Sequence, residues 1–332
     1  MNVVFQEIYD FLASDKKHSL FPAKGTTTKK NPINNRFNTL FGKYATSEFV
    51  TNKDLSREQV FNLAWDEVMS SCKGCILHAH RNNVVRPDGH FEAPIMIILE
   101  GPGFLEDLSK TPICSAIQIK NSHCGKCMNV TGCYGSRLIR IGEQWPKSRK
   151  KSIVCEPKYT DTNTFPSNHF VRSTGTILDG ILYKEHGFKY PRYSWETNTK
   201  YSPWFITNSV LCRSWNPSRL EDETPPAVAI QSCFPWFLLT YFCLKPKVIV
   251  CLGEVGLKTV TGYSEKNLKK LVSLNTPFQS PFGTTIYNSH PARMMRSPDP
   301  QVKASLYSRL GATLRLALEE AGLEDKINRI LI

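Results

Sequence analysis

The apolar positions of the chain fall into four short continuous runs, and segments with helical periodicity separate most of them. Each run is rich in β-favouring residues, which is typical of strands that are buried on both faces. Strands that alternate with helices favour a parallel sheet covered by helices on both faces. The predicted strands are Pro94–Leu99, Trp204–Val210, Lys247–Leu252 and Thr284–Tyr287, and the predicted helices include Thr176–Glu185, Ala227–Cys243, Glu254–Gly262 and Gln301–Ala321. We therefore predict an α/β fold, a three-layer αβα sandwich around a central parallel four-stranded sheet.

The same pattern divides the chain into a core and two other segments. Residues 1–65 are polar and rich in Lys and Asn, and they predict a basic N-terminal extension that leads into a helix capped by Ser56. Residues 66–107 and 169–332 form the predicted core. Residues 108–168 interrupt it with five cysteines and a basic run, and they predict a small cysteine-rich inserted lobe.

Composition adds a view of the partner and the compartment. The 332 residues carry a net charge of +13, with a pI near 9.2, and this excess favours a polyanion such as DNA. A generally basic globular protein fits the same charge. The N-terminus has no signal-peptide pattern, no stretch is expected to reach the length of a membrane span, and eleven cysteines are expected as reduced thiols or metal ligands. We expect an intracellular, cytoplasmic, DNA-associated monomer with no membrane partner.

Two distant cysteine pairs form the first chemical signal. Cys72-x2-Cys75 and Cys212-x20-Cys233 can close one metal site if the chain between them folds back. Four thiolates at one point suit an iron–sulfur cluster or zinc. The alternative is a set of unrelated buried thiols, because free cysteine is often a small apolar residue.

Polar residues at strand ends form the second signal. Glu100, Asn208 and His290 each end or follow a predicted strand. Active sites of parallel α/β sheets lie at the carboxyl ends of their strands, so we expect these three side chains to share one site.

Seven pieces of sequence, in this order and spacing, resemble the uracil-DNA glycosylase superfamily, closest to its iron–sulfur family 4. They are Cys72–Leu77, Arg81 with Val84 and Val85, Ile97–Gly103, Glu106 with Asp107, Ile206–Cys212, Lys245–Gly253 and His290–Arg296. The resemblance implies a DNA glycosylase with a [4Fe–4S] cluster on Cys72, Cys75, Cys212 and Cys233. Zinc in the same site stays the alternative.

The resemblance also implies roles at the strand ends. His290 is expected to donate to the carbonyl oxygen of the departing base, and Asn208 to read the edge of a pyrimidine. Glu100 is expected to position water or stabilise the cationic sugar. Gly101 and Gly103 would let backbone amides approach the base or a phosphate. No lysine occupies an obvious site position, which favours a monofunctional hydrolase.

The departures from the family pattern concern the pocket. Phe170 is the expected stacking aromatic, while Leu99 and Arg172 stand where the family usually has glycine. With the inserted lobe, these changes favour a modified pyrimidine, such as a modified cytosine in viral DNA, and thus antiviral defence. The alternatives are an ordinary uracil repair enzyme and a non-catalytic DNA-binding protein on the same fold. Arg293 and Arg296 are expected to contact DNA phosphates.

A second metal site is predicted inside the insertion. This short polar segment has too few apolar residues to form a hydrophobic core of its own, so we expect a bound metal to stabilise it. The predicted zinc ligands are Cys124, Cys127, Cys133 and Cys155, with Cys114 or His123 as substitutes for any one of them. Free thiols are the alternative.

Overall fold

The computed structural model describes residues 1–14, 32–113, 117–120, 139–140, 152–155, 170–171, 174–175, 177–178, 181, 202–219, 221–262 and 275–323. Strands are numbered in chain order as β1 (Asp88–Gly89), β2 (Ile95–Leu99), β3 (Ile117–Lys120), β4 (Ile139–Arg140), β5 (Ser152–Cys155), β6 (Phe170–Val171), β7 (Trp204–Asn208), β8 (Trp215–Asn216), β9 (Glu221–Asp222), β10 (Val248–Leu252), β11 (Phe278–Ser280) and β12 (Gly283–Asn288). The helices are α1 (Val3–Ala13), α2 (Pro32–Phe41), α3 (Glu48–Thr51), α4 (Arg57–Glu67), α5 (Phe104–Ser109), α6 (Ala227–Leu244), α7 (Glu254–Thr261), α8 (Ala292–Arg296) and α9 (Pro300–Glu320).

Four parallel strands form the centre of the sheet, in the order β7, β2, β10, β12. Every residue of β2, β7 and β10 is buried, as their continuous apolar runs predict. The parallel core is confirmed, but the sheet has six strands rather than four, because β1 and β11 add antiparallel edges. These edge strands have only two and three residues, too few to produce a recognisable apolar run.

Helices cover both faces of the sheet, which confirms the three layers. Successive side chains of a strand point to opposite faces. Ile95, Ile97 and Leu99 accordingly share a hydrophobic cluster with α9, whereas Met96 and Ile98 share another with α4 and α6. Ser56 caps α4 through a capping box with Gln59, as the sequence indicates.

The first helices pack against this core. Phe5 of α1 contacts the rings of Phe37, Phe41 and Phe49, and Phe41 meets Trp236 of α6 edge to face. All five aromatic side chains are almost fully buried. The described part of residues 1–65 thus contributes to the hydrophobic core, a contact that its polar composition does not indicate.

Helix α6 is long and apolar enough to cross a membrane on length and composition alone. The expectation that no stretch reaches such a length is therefore wrong for this helix. However, 72% of it is buried inside the protein, where its cysteine and aromatic side chains join the core. Burial of this kind is typical of a core helix that is apolar all round.

A second, antiparallel sheet has the order β4, β5, β3, β6, in which β3, β4 and β5 fall within the predicted insertion and β6 follows it. Phe170 lies in β6 opposite Ile119, and Cys155 ends β5 opposite Ile117. The other three predicted zinc ligands of the lobe, Cys124, Cys127 and Cys133, lie outside the described residues, as does Arg172. The zinc site of the lobe stays a prediction.

Candidate active site

Three polar residues meet the same edge of the parallel sheet; we call Glu100, Asn208 and His290 the polar rim. Glu100 follows β2 directly, and Asn208 ends β7 in register with Leu99. His290 comes two residues after the end of β12. Between β2 and β12 lies β10, and the N–H of Gly253 at its end donates to the carbonyl of Asn288 at 2.9 Å. All three residues therefore lie at the carboxyl edge of the parallel strands, where the active sites of such sheets are found, and their shared site stays a prediction.

Glu100 rests against the turn between β10 and α7. Gly253 has a φ of 102°, and a Cβ there would lie 2.6 Å from Glu100 Oε1, so only glycine fits. The N–H of Glu254, at the start of α7, donates to the Glu100 carboxylate. Burial raises the pKa of Glu100 above its ordinary 4.5, while Arg296, the Glu254 N–H and Lys258 oppose that rise. The carboxylate is thus partly desolvated yet supported by positive groups.

His290 is held as a neutral ring with a defined donor. Burial, reinforced by Arg296, lowers its pKa to about 4, so the imidazole is uncharged at physiological pH. The N–H of Ala292 donates to His290 Nδ1 at 3.2 Å, which makes Nδ1 the acceptor. The proton of the neutral ring therefore belongs on Nε2, which is left as a hydrogen-bond donor.

Asn208 has an acceptor with no partner. Its side chain is 4% exposed, and Nδ2 donates to the carbonyl of Pro112 at 2.8 Å. A carbonyl can only accept, so this bond fixes which end of the amide points to Pro112. Oδ1 is buried and has no hydrogen-bond partner in the described structure. Leaving such an acceptor unpaired costs about 1–3 kcal/mol, which a ligand N–H at this position would recover.

Arg296 links two members of the rim. Its positive charge lowers the pKa of both Glu100 and His290, so the guanidinium lies near both groups. Sequence reasoning gave Arg296 only a phosphate contact and missed this electrostatic role. Arg293 is exposed on the same short helix, α8, and its Nη1 lies 3.5 Å from Ser289 Oγ.

The loop after Glu100 is held by Asp107, and we call Asp107 with Asn82 and Asn83 the asparagine lock. Asp107 in α5 is completely buried. Its carboxylate accepts from the backbone N–H groups of Asn82 and Asn83 at 2.8–3.0 Å and from Asn82 Nδ2 at 2.7 Å. Asn83 Nδ2 in turn donates to the Asp107 carbonyl at 2.6 Å. These bonds hold Asn82 and Asn83, which follow the CxxC pair in the chain, against α5.

A buried arginine fixes the other side of the same loop. Arg213 is completely buried between the rings of Phe104 and Trp215, and its Nε donates to Asp222 at 2.5 Å. Asp222 also accepts from the N–H of Phe104 at 3.3 Å, where α5 begins. Arg213 and Asp222, which follow β7, thus both contact Phe104, the first residue of α5. No sequence motif indicates these contacts.

Gly101 and Gly103 meet protein atoms closely. A Cβ on Gly101 would lie 3.1 Å from Pro225 Cγ, and one on Gly103 would lie 2.9 Å from Glu106 Oε2. The ring of Pro225 therefore restricts a side chain at Gly101, whereas the movable end of Glu106 leaves Gly103 without a packing requirement. Their predicted approach to a base or phosphate stays a prediction.

The four cysteines of the first predicted metal site come close to one another. Cys72, Cys75, Cys212 and Cys233 are free thiols, and burial followed by the neighbouring thiols raises the pKa of Cys233. Burial raises the pKa of Cys212 to about 12. Arg81 Nη1 donates to Cys212 Sγ at 2.9 Å. Within the described residues, no three His, Cys, Asp or Glu side chains lie close enough to hold a single metal ion.

Comparison with known families decides the relationship that this geometry suggests. The profile of the "Uracil DNA glycosylase superfamily" matches residues 130–311, more than half of the chain. The chain belongs to this superfamily. The match includes β7, β10, β12 and therefore Asn208 and His290 of the polar rim.

One curated relative has a similar sequence. The superfamily member described here is 21% identical over 205 residues to the "Type-4 uracil-DNA glycosylase" of Pyrobaculum aerophilum. The alignment covers 62% of this chain and 67% of the relative. The family 4 resemblance of the sequence motifs is confirmed, although the identity is low.

Proposed function

We propose that the protein is a monofunctional DNA glycosylase that hydrolyses the N-glycosidic bond of a flipped-out pyrimidine and leaves an abasic site. The observation that carries this proposal is the polar rim, where a carboxylate, a neutral imidazole donor and an unpartnered amide acceptor share one sheet edge. Extruding a nucleotide costs a few kcal/mol of stacking and pairing. The net charge of +13 and exposed Arg293 favour DNA binding that offsets this cost. Phe170 is the proposed stacking platform.

His290 would stabilise the leaving base. As the bond between the sugar C1′ and the base nitrogen breaks, the bonding electron pair moves to the base, which departs as an anion. The N–H at His290 Nε2 is suited to donate to the base carbonyl on which that charge develops. A neutral donor serves here because its proton is shared rather than transferred.

Glu100 would act on the sugar side. A water oxygen forms the new bond to C1′, and its proton passes to the solvent or to the carboxylate. A partly desolvated carboxylate can orient this water and stabilise the positive charge on the sugar. Lys258, whose charge acts on Glu100, is engaged by Glu254 in an ion pair at 2.6 Å. Hydrolysis by water, without an amine–sugar intermediate, is therefore the proposed reaction.

The four thiols fit a [4Fe–4S] cluster. Each ligand of a [4Fe–4S] cluster binds a different iron, so Cys72, Cys75, Cys212 and Cys233 need not converge on a single ion. Arg81 places a positive charge against Cys212, which favours the thiolate that a metal requires. Such a cluster would tie the loop before β2 to the segment after β7 as a structural anchor. Zinc, the alternative metal, would need these thiols around one ion, an arrangement that the described residues do not show, so the cluster is the preferred proposal.

The base is proposed to be a modified pyrimidine. Asn208 Oδ1 can accept from N3–H of uracil or from the amino group of a cytosine derivative, so it admits both. Arg172 in place of a glycine, and residues 108–168 inserted into the pocket loop, favour the larger base. Leu99 does not add to this argument, because its side chain is buried in the core beside Ile113. A modified cytosine in viral DNA would make the protein an intracellular antiviral enzyme, whereas excision of uracil would make it a base excision repair enzyme.

Mass spectrometry of released bases tests the proposal. Purified protein is incubated with duplexes that each carry one uracil, 5-hydroxymethylcytosine or glucosylated hydroxymethylcytosine, with Glu100→Gln as the matched inactive control. We expect a free modified base and an alkali-labile site from the wild-type protein only. Release of uracil alone would refute the modified-base preference. Intact DNA binding without release of any base would favour the non-catalytic alternative.

A further inference from the structure

Arg81 reaches both halves of the cysteine site. Its Nη1 donates to the sulfur of Cys212 at 2.9 Å, and its Nη2 donates to the carbonyl oxygen of Cys72. Cys72 and Cys75 precede β2, Cys212 follows β7 and Cys233 lies in α6, so this guanidinium joins two of the three parts of the chain that carry the four thiols. Arginine can donate to both acceptors at once because its N–H groups lie in one rigid plane. Lysine has no such planar group.

The position of Arg81 is fixed by its neighbours. Its own N–H donates to the carbonyl of Leu77 at 3.2 Å. The next two residues, Asn82 and Asn83, belong to the asparagine lock and are bonded to the buried carboxylate of Asp107. Arg81 is itself partly buried. Its charge is therefore held in place and partly shielded from water, where a hydrogen bond to a charged sulfur is stronger than at the surface.

A hydrogen-bond donor to a ligand sulfur changes the reduction potential of a cluster in a known direction. Reduction adds one electron and leaves the cluster and its thiolates more negative. A positive donor at a ligand sulfur stabilises that reduced form more than the oxidised form, and therefore raises the reduction potential. The same bond, together with the bond to the Cys72 carbonyl, keeps the two ligand segments together and opposes loss of metal.

We propose that Arg81 is a positioning residue of the cysteine site, which raises the reduction potential of the bound cluster and slows its loss. This inference rests on the [4Fe–4S] cluster proposed above. It assigns the cluster's behaviour to one residue outside the ligand set and outside the polar rim. No step of base excision depends on it.

A redox titration of the iron-loaded protein tests the proposal. Arg81→Gln and Arg81→Lys are compared with the wild type and with Lys73→Gln, and one-electron reduction by dithionite is followed by visible absorption. Lys73 is an exposed cation between Cys72 and Cys75 and serves as the matched control for charge alone. We expect Arg81→Gln to shift the reduction equilibrium about tenfold towards the oxidised form, about 59 mV for one electron. Lys73→Gln should stay close to the wild type.

Iron release to a chelator provides the second readout. Arg81→Lys keeps the charge and loses the planar group, so it should release iron faster than the wild type; it also serves if Arg81→Gln does not load iron. Unchanged potential and unchanged iron release in both Arg81 variants would overturn the inference, as would an equal shift in Lys73→Gln. Wild-type protein that contains zinc or no iron would instead overturn the cluster proposal itself.

Discussion

The polar rim and the asparagine lock are neighbours that treat buried polar groups in opposite ways. In the lock, the buried carboxylate of Asp107 receives several N–H donors, and its backbone carbonyl receives another. In the rim, Asn208 Oδ1 has no partner in the described structure, and burial shifts the pKa values of Glu100 and His290 away from their ordinary values. The carboxylate of Asp107 is thus paired by hydrogen bonds, whereas the rim keeps one buried acceptor, Asn208 Oδ1, without a partner in the described structure.

This difference indicates what each region contributes. Buried polar groups are normally satisfied, so an unsatisfied acceptor at the carboxyl end of a parallel strand is a candidate for a bond to a ligand. The lock should therefore matter for folding, and the rim for chemistry. The comparison would fail if a substitution in the lock reduced catalysis without loss of stability, or if a substitution in the rim reduced stability without loss of catalysis.

The largest effect is expected for Glu100→Gln. Loss of the carboxylate should reduce kcat for base release by about 10²- to 10⁴-fold, because glutamine cannot stabilise the cationic sugar or take a proton. The same substitution should leave the stability of the fold unchanged or raise it. Burial raises the folded-state pKa of Glu100, so its ionisation weakens the fold as pH rises through that pKa. The variant should unfold at an equal or higher temperature than the wild type at pH 7, with the difference vanishing below about pH 4.5.

Single-turnover base release and thermal unfolding across pH measure both halves of this prediction. The wild-type rate should fall on the acid side as Glu100 is protonated, above the titration of His290. Glu254→Gln, at the start of α7, is the control for removal of a nearby carboxylate. A Glu100→Gln protein that is less stable but still active would show that Glu100 serves the fold and not the reaction.

The next effect is expected for His290→Ala. Removal of one donor to the leaving base should lower kcat by about 10²- to 10³-fold. The folded-state pKa of about 4 lies below the ordinary 6.5, so the histidine destabilises the wild type as pH falls from 6.5 towards 4. The variant should therefore lose less of its free energy of unfolding over that range. Chemical denaturation at pH 7 and pH 4.5 provides the measurement, and an equal loss in both proteins would contradict the assigned neutral ring.

Asp107→Asn tests the lock. An amide at this position would turn one acceptor into a donor that faces other donors, so buried N–H groups lose their partner. The free energy of unfolding should fall by about 1–3 kcal/mol, while kcat per folded molecule stays within a few-fold of wild type. Urea denaturation and base release from the same preparation give both values. A large loss of kcat with unchanged stability would make the lock a functional element.

The smallest effect is expected from a comparison of two asparagines that each end a parallel strand, Asn208 in β7 and Asn288 in β12. Asn208 and Asn288 are both almost fully buried, but Asn288 Nδ2 donates to Thr313 at 2.7 Å and its Oδ1 accepts from Ser289 N–H at 2.6 Å. Asn208→Ala should weaken base release about tenfold with little change in stability, because it removes one bond and one unsatisfied acceptor. Asn288→Ala should lower stability and leave the chemistry intact. The same result in both variants would remove the argument from the unpartnered acceptor.

The sequence predicts the sheet and the rim because both depend on local patterns. The apolar runs of β2, β7 and β10 specify buried parallel strands, and the topology of such a sheet brings the residues after them to one edge. The edge strands, and the packing of α1 and α2 on α6, follow from tertiary contacts that no short pattern encodes. The same holds for Arg213 and Asp222, which both contact the distant Phe104, and for Arg296, whose charge acts on Glu100.

The most direct test of the central claim is a crystal structure of the Glu100→Gln protein with a duplex that carries the pyrimidine it releases. The account predicts an extruded base with an N–H bonded to Asn208 Oδ1, its carbonyl oxygen bonded to His290 Nε2, and residue 100 on the C1′ side. A base bound elsewhere, or an Asn208 amide that turns to a protein partner when DNA is bound, would contradict it.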